Sequence, residues 1–381
     1  MAEMRLRRLE LKPLDIPFTV AFRHASAERS TTATVWVDVE FDSGVVGCGE
    51  SCPREYVTGE SLSTVQGFAS RHQRGLREHI VDVASLRDWM ASNTQEIDAN
   101  PAAWCAIELA ILDGLAKEAD QTAERLLSLP ELDGTFVYTA VVGDAAPQAF
   151  AAAAEQYRRF GFSDFKLKLS GDLERDRAKM AVVRGFDEPS IRVRVDANNL
   201  WSDADEGIRY LQSLEYPFFA IEEPLGPNQY EQLARIADVF GCRIILDESL
   251  LRAEQLAALP DPADRFAINV RVSKMGGLLR SLSVVDAARG SGCGIIVGAQ
   301  VGETSLLTRV ALPVARACGD ALIAQEGAFG TRLLAHDVCD PPLMFGHGGV
   351  LDAAAFPMLR QPGFGLPRER LRARLGPSGS A

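Results

Sequence analysis

DFKLKLS at residues 164–170, IRVRVDA at 191–197, FFAIEEP at 218–224 and RIILDES at 243–249 decide the fold. Each is a short apolar run that ends on charged residues. The same texture precedes them in VYTAVVG (137–143) and follows in FAINVRV (266–272), CGIIVGAQ (293–300) and ALIAQEG (321–327). These eight runs recur every 23–28 residues. Helical stretches such as APQAFAAAAEQYRRFG (146–161) lie between them. A strand, a helix and two loops need about 25–30 residues, so eight units predict a (β/α)8 barrel. A doubly wound open sheet usually has fewer strands and a Gly-rich first loop, which is missing.

Upstream, TTATVWVDVEF (31–41) alternates as a strand, Asp42-Ser43-Gly44 reads as a turn, and VVGCGE (45–50) as the partner strand. Glycines and turn residues across 42–59 suggest a mobile loop. AAWCAIELAILDGLAK (102–117) reads as a helix started by Asn100-Pro101. The expected architecture is α/β: an N-terminal α+β capping domain over 1–130, a TIM-type barrel over 131–339, and a C-terminal segment, 340–381, that packs back on the capping domain.

Composition excludes several functions. Of 381 residues, 40 are Lys or Arg and 52 Asp or Glu, a formal net charge of -12. That balance argues against a nucleic-acid partner, which needs a basic footprint. No apolar run reaches the roughly 18–20 residues that span a bilayer, and the N-terminus has no apolar core of a signal peptide. Seven cysteines form no Cys-x-x-Cys pair and argue against zinc. A cytoplasmic protein with reduced thiols is expected.

The chemistry lies at the strand ends, where barrel enzymes carry catalytic residues. Asp196, Glu222 and Asp247 end three neighbouring strands. Each alone reads as a helix cap or an ion-pair partner, but three in register repel unless a cation joins them. Carboxylate oxygens from rigid strands suit a hard ion such as Mg²⁺. Lys166 and Lys168 are two apart and so face the same way in a strand. Two adjacent ammonium groups near a cation should lower each other's pKa toward that of a general base. Lys274 follows the sixth strand, on the wall opposite Lys168. A cation holding a substrate carboxylate, with a base on each side, describes removal of the proton on the adjacent carbon.

FKLKL (165–169), VRVDANNLW (193–201), IEEP (221–224), LDES (246–249), INVRVSKMGG (268–277) and PGFGLP (362–367) together resemble the enolase superfamily, within it the muconate lactonizing enzyme subgroup. The superfamily's use of a Lys or His base with Mg²⁺ is general knowledge of that fold family. The resemblance covers nearly the whole chain. It implies Asp196, Glu222 and Asp247 as ligands of one Mg²⁺, with Mn²⁺ as a substitute. It implies Lys168 and Lys274 as bases on opposite faces, and Lys166 as the neighbour that tunes Lys168 or contacts the carboxylate. It further implies a small carboxylate substrate and a homo-oligomer.

Substrate choice falls to the capping loops, with His24, Arg54 and Tyr56 as candidates. Glu303 resembles an acid near that position in muconate and succinylbenzoate enzymes. At strand eight, dipeptide epimerases carry Asp-x-Asp; this chain has Ala324-Gln325-Glu326-Gly327, which leaves Glu326 part of that task. The expected activity is a racemase or epimerase of an N-acylamino acid or dipeptide. The alternatives are a muconate-type cycloisomerase and a succinylbenzoate-synthase-like lyase. A non-catalytic scaffold would have lost some of these residues.

Overall fold

The computed structural model describes residues 5–24 and 27–366. Five strands open the chain: β1 (Leu6–Leu14), β2 (Pro17–His24), β3 (Ala27–Thr31), β4 (Thr34–Phe41) and β5 (Val46–Ser51). β4 lies between β1 and β5 in an antiparallel sheet, and β2 and β3 form a separate hairpin. The sheet packs on the helix Pro101–Glu118, buried from Pro101 to Ala116. Proline in the first turn of that helix forgoes an N–H that would lack a partner there anyway.

β5 and this helix meet backbone to backbone. A Cβ on Gly47 would overlap the Ala110 carbonyl, and one on Gly49 the Ala106 carbonyl. The glycines that suggest a mobile loop over 42–59 therefore do something else. Val46–Ser51 is a fully buried strand, and its glycines permit close approach.

β6 (Thr135–Val137) precedes the eight parallel strands β7 (Ala140–Val142), β8 (Asp164–Lys168), β9 (Arg192–Asp196), β10 (Ala220–Glu222), β11 (Arg243–Leu246), β12 (Phe266–Val270), β13 (Gly294–Val297) and β14 (Leu322–Gln325). They are ordered as in the sequence. The ring closes where Thr139 N donates to Gln325 O at 2.7 Å. Of the first apolar run, only Ala140–Val142 joins the ring; β6 instead pairs antiparallel with β15 (Val350–Asp352). The ring's interior holds an apolar floor of Ala220, Ile245, Ala267, Ile296 and Ala324. Small and branched side chains fill such a taper without voids.

Two carboxylates dock the N-terminal unit on the barrel. Glu108 accepts from Leu278 N and Leu279 N, at 2.8 and 2.9 Å, at the start of the helix Leu278–Gly290. Gly277 makes room for it, since a Cβ there would overlap the Glu108 carboxylate. Glu50, in β5, accepts from Thr304 N at 3.0 Å and from the Thr304 hydroxyl, at the start of the helix Ser305–Cys318. These carboxylates take up N–H groups that a helix leaves unpaired. The C-terminal segment returns to the same unit: Gly363 N donates to Gln121 O at 2.8 Å and Phe364 N to Asp113 Oδ1 at 2.7 Å. Among the described residues, no helix is long and apolar enough to cross a membrane.

Candidate active site

Strand register brings the charged ends together. Lys168 lies opposite Asp196, and Asp196 opposite Glu222, on adjacent strands. Asp247 is one residue past β11. Asp196, Glu222 and Asp247 are all buried and form an arc at the ring's mouth. Lys168 Nζ lies 2.9 Å from Asp196 Oδ2. Asn198 donates to Asp196 Oδ1 through its side-chain amide and its backbone N–H.

Lys166 sits one layer deeper, 2% exposed. Its Nζ is 2.8 Å from Glu222, 3.2 Å from Asp196 and 3.2 Å from Glu326. Burial alone would lower its pKa, but Glu222, Glu326 and Asp196 outweigh burial and raise it. Among the protein's own groups, three carboxylates outweigh one neighbouring ammonium at Lys166. Against the same burial, Lys168 and Lys166 hold Asp196 well below the usual carboxylate range. Glu222, with burial dominant and three carboxylates near, is pushed up to about 7.

Several expected site residues are placed elsewhere or otherwise engaged. Lys274 lies on the short helix Val272–Met275. Its Nζ donates to Asp247 O at 2.6 Å, Asn269 O at 2.7 Å and Asp247 Oδ1 at 2.9 Å, and its side chain is fully buried. Protein oxygens thus face the three N–H donors of its ammonium, and burial lowers its pKa against their pull. Arg54 is buried and donates to the carbonyls of Thr32, Ala33, Pro53 and Val301. It clamps the capping loop to the loop after β13, which leaves its guanidinium little capacity for a second substrate anion. Glu326 accepts from Arg194 at 2.7 Å as well as from Lys166, and so belongs to the barrel interior. Glu303 accepts from Gln300 N at 2.6 Å just before the helix Ser305–Cys318, and burial pushes it up to about 7. Tyr56 stands exposed on the short helix Glu55–Thr58. His24 ends β2, and its side chain lies outside the described residues.

Two interior residues went unread in the sequence. Arg194, fully buried, donates to Asp164 Oδ1 at 2.8 Å and to Glu326. Arg271, just past β12, contacts Asp247 Oδ2 and lies 3.2 Å from Gln300 Oε1. Period two was the available signal: Arg194 precedes Asp196 by two residues, and Arg271 follows Asn269 by two.

Residues 149–368 match the model described as enolase C-terminal domain-like, and residues 6–128 match the mandelate racemase / muconate lactonizing enzyme N-terminal domain. The chain belongs to the mandelate racemase / muconate lactonizing enzyme family. The family is part of the enolase superfamily, whose members bind Mg²⁺. Its relatives are isomerases. The L-Ala-D/L-Glu epimerase of Bacillus subtilis is 26% identical over 313 residues, covering 80% of this chain and 82% of that protein. In fold, the N-succinyl Arg/Lys racemase from Bacillus cereus superposes with a TM-score of 0.80 at 21% identity, covering 97% of each chain. The Enterococcus faecalis dipeptide epimerase, solved with Mg and L-Leu-L-Tyr, gives 0.77 at 21% identity, covering 95% of this chain and 99% of that one.

Among the described residues, no three ligating side chains are gathered tightly enough to hold an ion as they stand. Lys166 lies between Asp196 and Glu222, and Arg271 reaches Asp247 with Glu222 4.0 Å away. The donor set nonetheless fits a hard divalent ion. It offers only carboxylate oxygens from three adjacent strands.

Proposed function

We propose that this chain is a Mg²⁺-dependent enzyme that removes the proton α to the carboxylate of a small substrate, an N-acylated amino acid or a dipeptide, to give its enolate. The observation that carries this reading is Lys168, whose amine stands 2.9 Å from Asp196 at one end of the Asp196–Glu222–Asp247 arc. Those three residues are the ligands in this reading, with Mn²⁺ as a substitute. A divalent ion held by these residues would supply a site for the substrate carboxylate and would offset the charge that develops there.

The chain's own residues do the rest. Lys168 takes the proton at its Nζ. Lys166 stays charged beneath, and Asn269 Nδ2 donates to Glu222 Oε1 at 3.1 Å and fixes that carboxylate. Racemisation or epimerisation, the activity of the named relatives, shares this first step with cycloisomerisation and elimination. The test is NMR in D₂O. Loss of the α-proton signal from N-acylamino acids or dipeptides should require Mg²⁺ and should vanish in Lys168→Ala. Exchange that survives either chelation or that substitution refutes the reading.

A further inference from the structure

Resting on that reading, we infer that the group facing the substrate across from Lys168 is Arg271 and not Lys274, so that the site works with one base on one face. The strand decides this. Along β12 the inward positions alternate: Ala267 lies in the apolar floor, Asn269 reaches Glu222, and Arg271 comes next at the mouth. β8 and β12 are four strands apart in a ring of eight, hence on opposite walls. Lys168 and Arg271 therefore bracket the acidic arc, one on Asp196 and the other on Asp247. Lys274, three residues later, has already turned into the short helix, and its amine is enclosed by Asp247 O, Asn269 O and Asp247 Oδ1. A base must aim a lone pair at the substrate. An amine surrounded by acceptor oxygens cannot do so without losing its bonds.

The replacement is chemically consequential. A guanidinium has five N–H donors, no acceptor, and is not deprotonated in proteins. Arg271 can donate hydrogen bonds to a carboxylate or enolate oxygen, but it cannot take a proton from carbon. Inversion at the α-carbon needs a base on each face, because the second stereoisomer must lose its proton from the side opposite Lys168.

With one base, the α-C–H bond breaks as an N–H bond forms on Lys168, and the electron pair enters the enolate. The same ammonium then returns the proton to the same face, with retention. Alternatively, it gives the proton to a group leaving from the β-carbon, as the enolate electrons form the α,β double bond. Run in the sense of ring closure, an internal nucleophile adds to an α,β-unsaturated acid, and Lys168 protonates the resulting enolate at the α-carbon. Net conversion then belongs to those N-acylamino acids, dipeptides and related carboxylates that carry a β-leaving group or an internal nucleophile; their simple members serve as exchange probes.

The experiment incubates the wild-type protein with Mg²⁺ in D₂O and the separate stereoisomers of each probe. Proton NMR follows the α-signal, and chiral chromatography follows configuration. The expected result is deuterium in one stereoisomer of a probe, with retention and no exchange in its mirror partner. Arg271→Lys should add exchange of the partner and interconversion of the two. Wild-type protein that exchanges both stereoisomers, or interconverts them, overturns the one-base assignment while leaving α-proton removal standing. Absence of exchange in every probe overturns both.

Discussion

Arg194→Met tests the charged layer beneath the site. Arg194 is fully buried and pairs with Asp164 at 2.8 Å and Glu326 at 2.7 Å. Methionine approximates the stem but removes the charge. Asp164 keeps Arg192 at 2.7 Å, a half-exposed partner, while Glu326 keeps Lys166 at the longer 3.2 Å. Breaking a buried pair from one side costs about 3–5 kcal/mol, because it leaves a buried charge with too little compensation. With a urea slope near the upper end of about 1–3 kcal/mol per M, the unfolding midpoint falls by about 1 M or more. Glu326→Gln in the Arg194→Met background removes the stranded charge and should recover a large part of the loss, so the two changes are not additive. Urea denaturation of the two single variants and the double variant reads the cycle. A single-variant cost below about 1 kcal/mol, the value of an exposed pair, refutes the reasoning. So do strictly additive changes.

Gly277→Ala should destabilise by more than the ~1–2 kcal/mol of a left-handed backbone, since its φ is 100° and its Cβ meets Glu108. Gly44→Ala, at φ 87° with nothing within 4 Å, should cost only that backbone term, and thermal melts of the two compare them. Burial dominates at Glu50 and pushes its carboxyl up to about 8 against its Thr304 hydrogen bonds. Between the unfolded value of about 4.3 and that figure, the folded state holds the extra proton. This contribution to stability is therefore present below about pH 4 and is lost as pH rises to about 8. Glu50→Gln should flatten that part of a stability–pH curve measured by urea unfolding, and an unchanged slope would contradict the assignment.

Much of the site was legible because strand ends are local. Asp196, Glu222 and Asp247 follow β-rich runs at one-unit intervals, and the ring's register turns equal spacing into a common arc. The partners of Arg54 and Glu326 were not legible, for one shared reason. Each is a charged residue near the mouth, but its partners come from distant sequence: Val301 carbonyl for Arg54, and Arg194 with Lys166 for Glu326. The oxygens of Asp247 and Asn269 that face the Lys274 amine meet it through a single helical turn after β12, and composition carries no sign of it.

The sequence by itself determined the eight-unit barrel, the N-terminal α+β unit and the three acidic strand ends, because hydrophobic periodicity and unit spacing are properties of neighbouring residues. Only the tertiary structure decided which charge pairs with which. Pairing across the ring committed Lys166, Arg194 and Glu326 to one another, tied Lys274 to protein oxygens, and left Lys168 and Arg271 at the two ends of the arc. Which charge meets which at short range is set by strand register and by the closure of the ring, and neither is a local property of the chain.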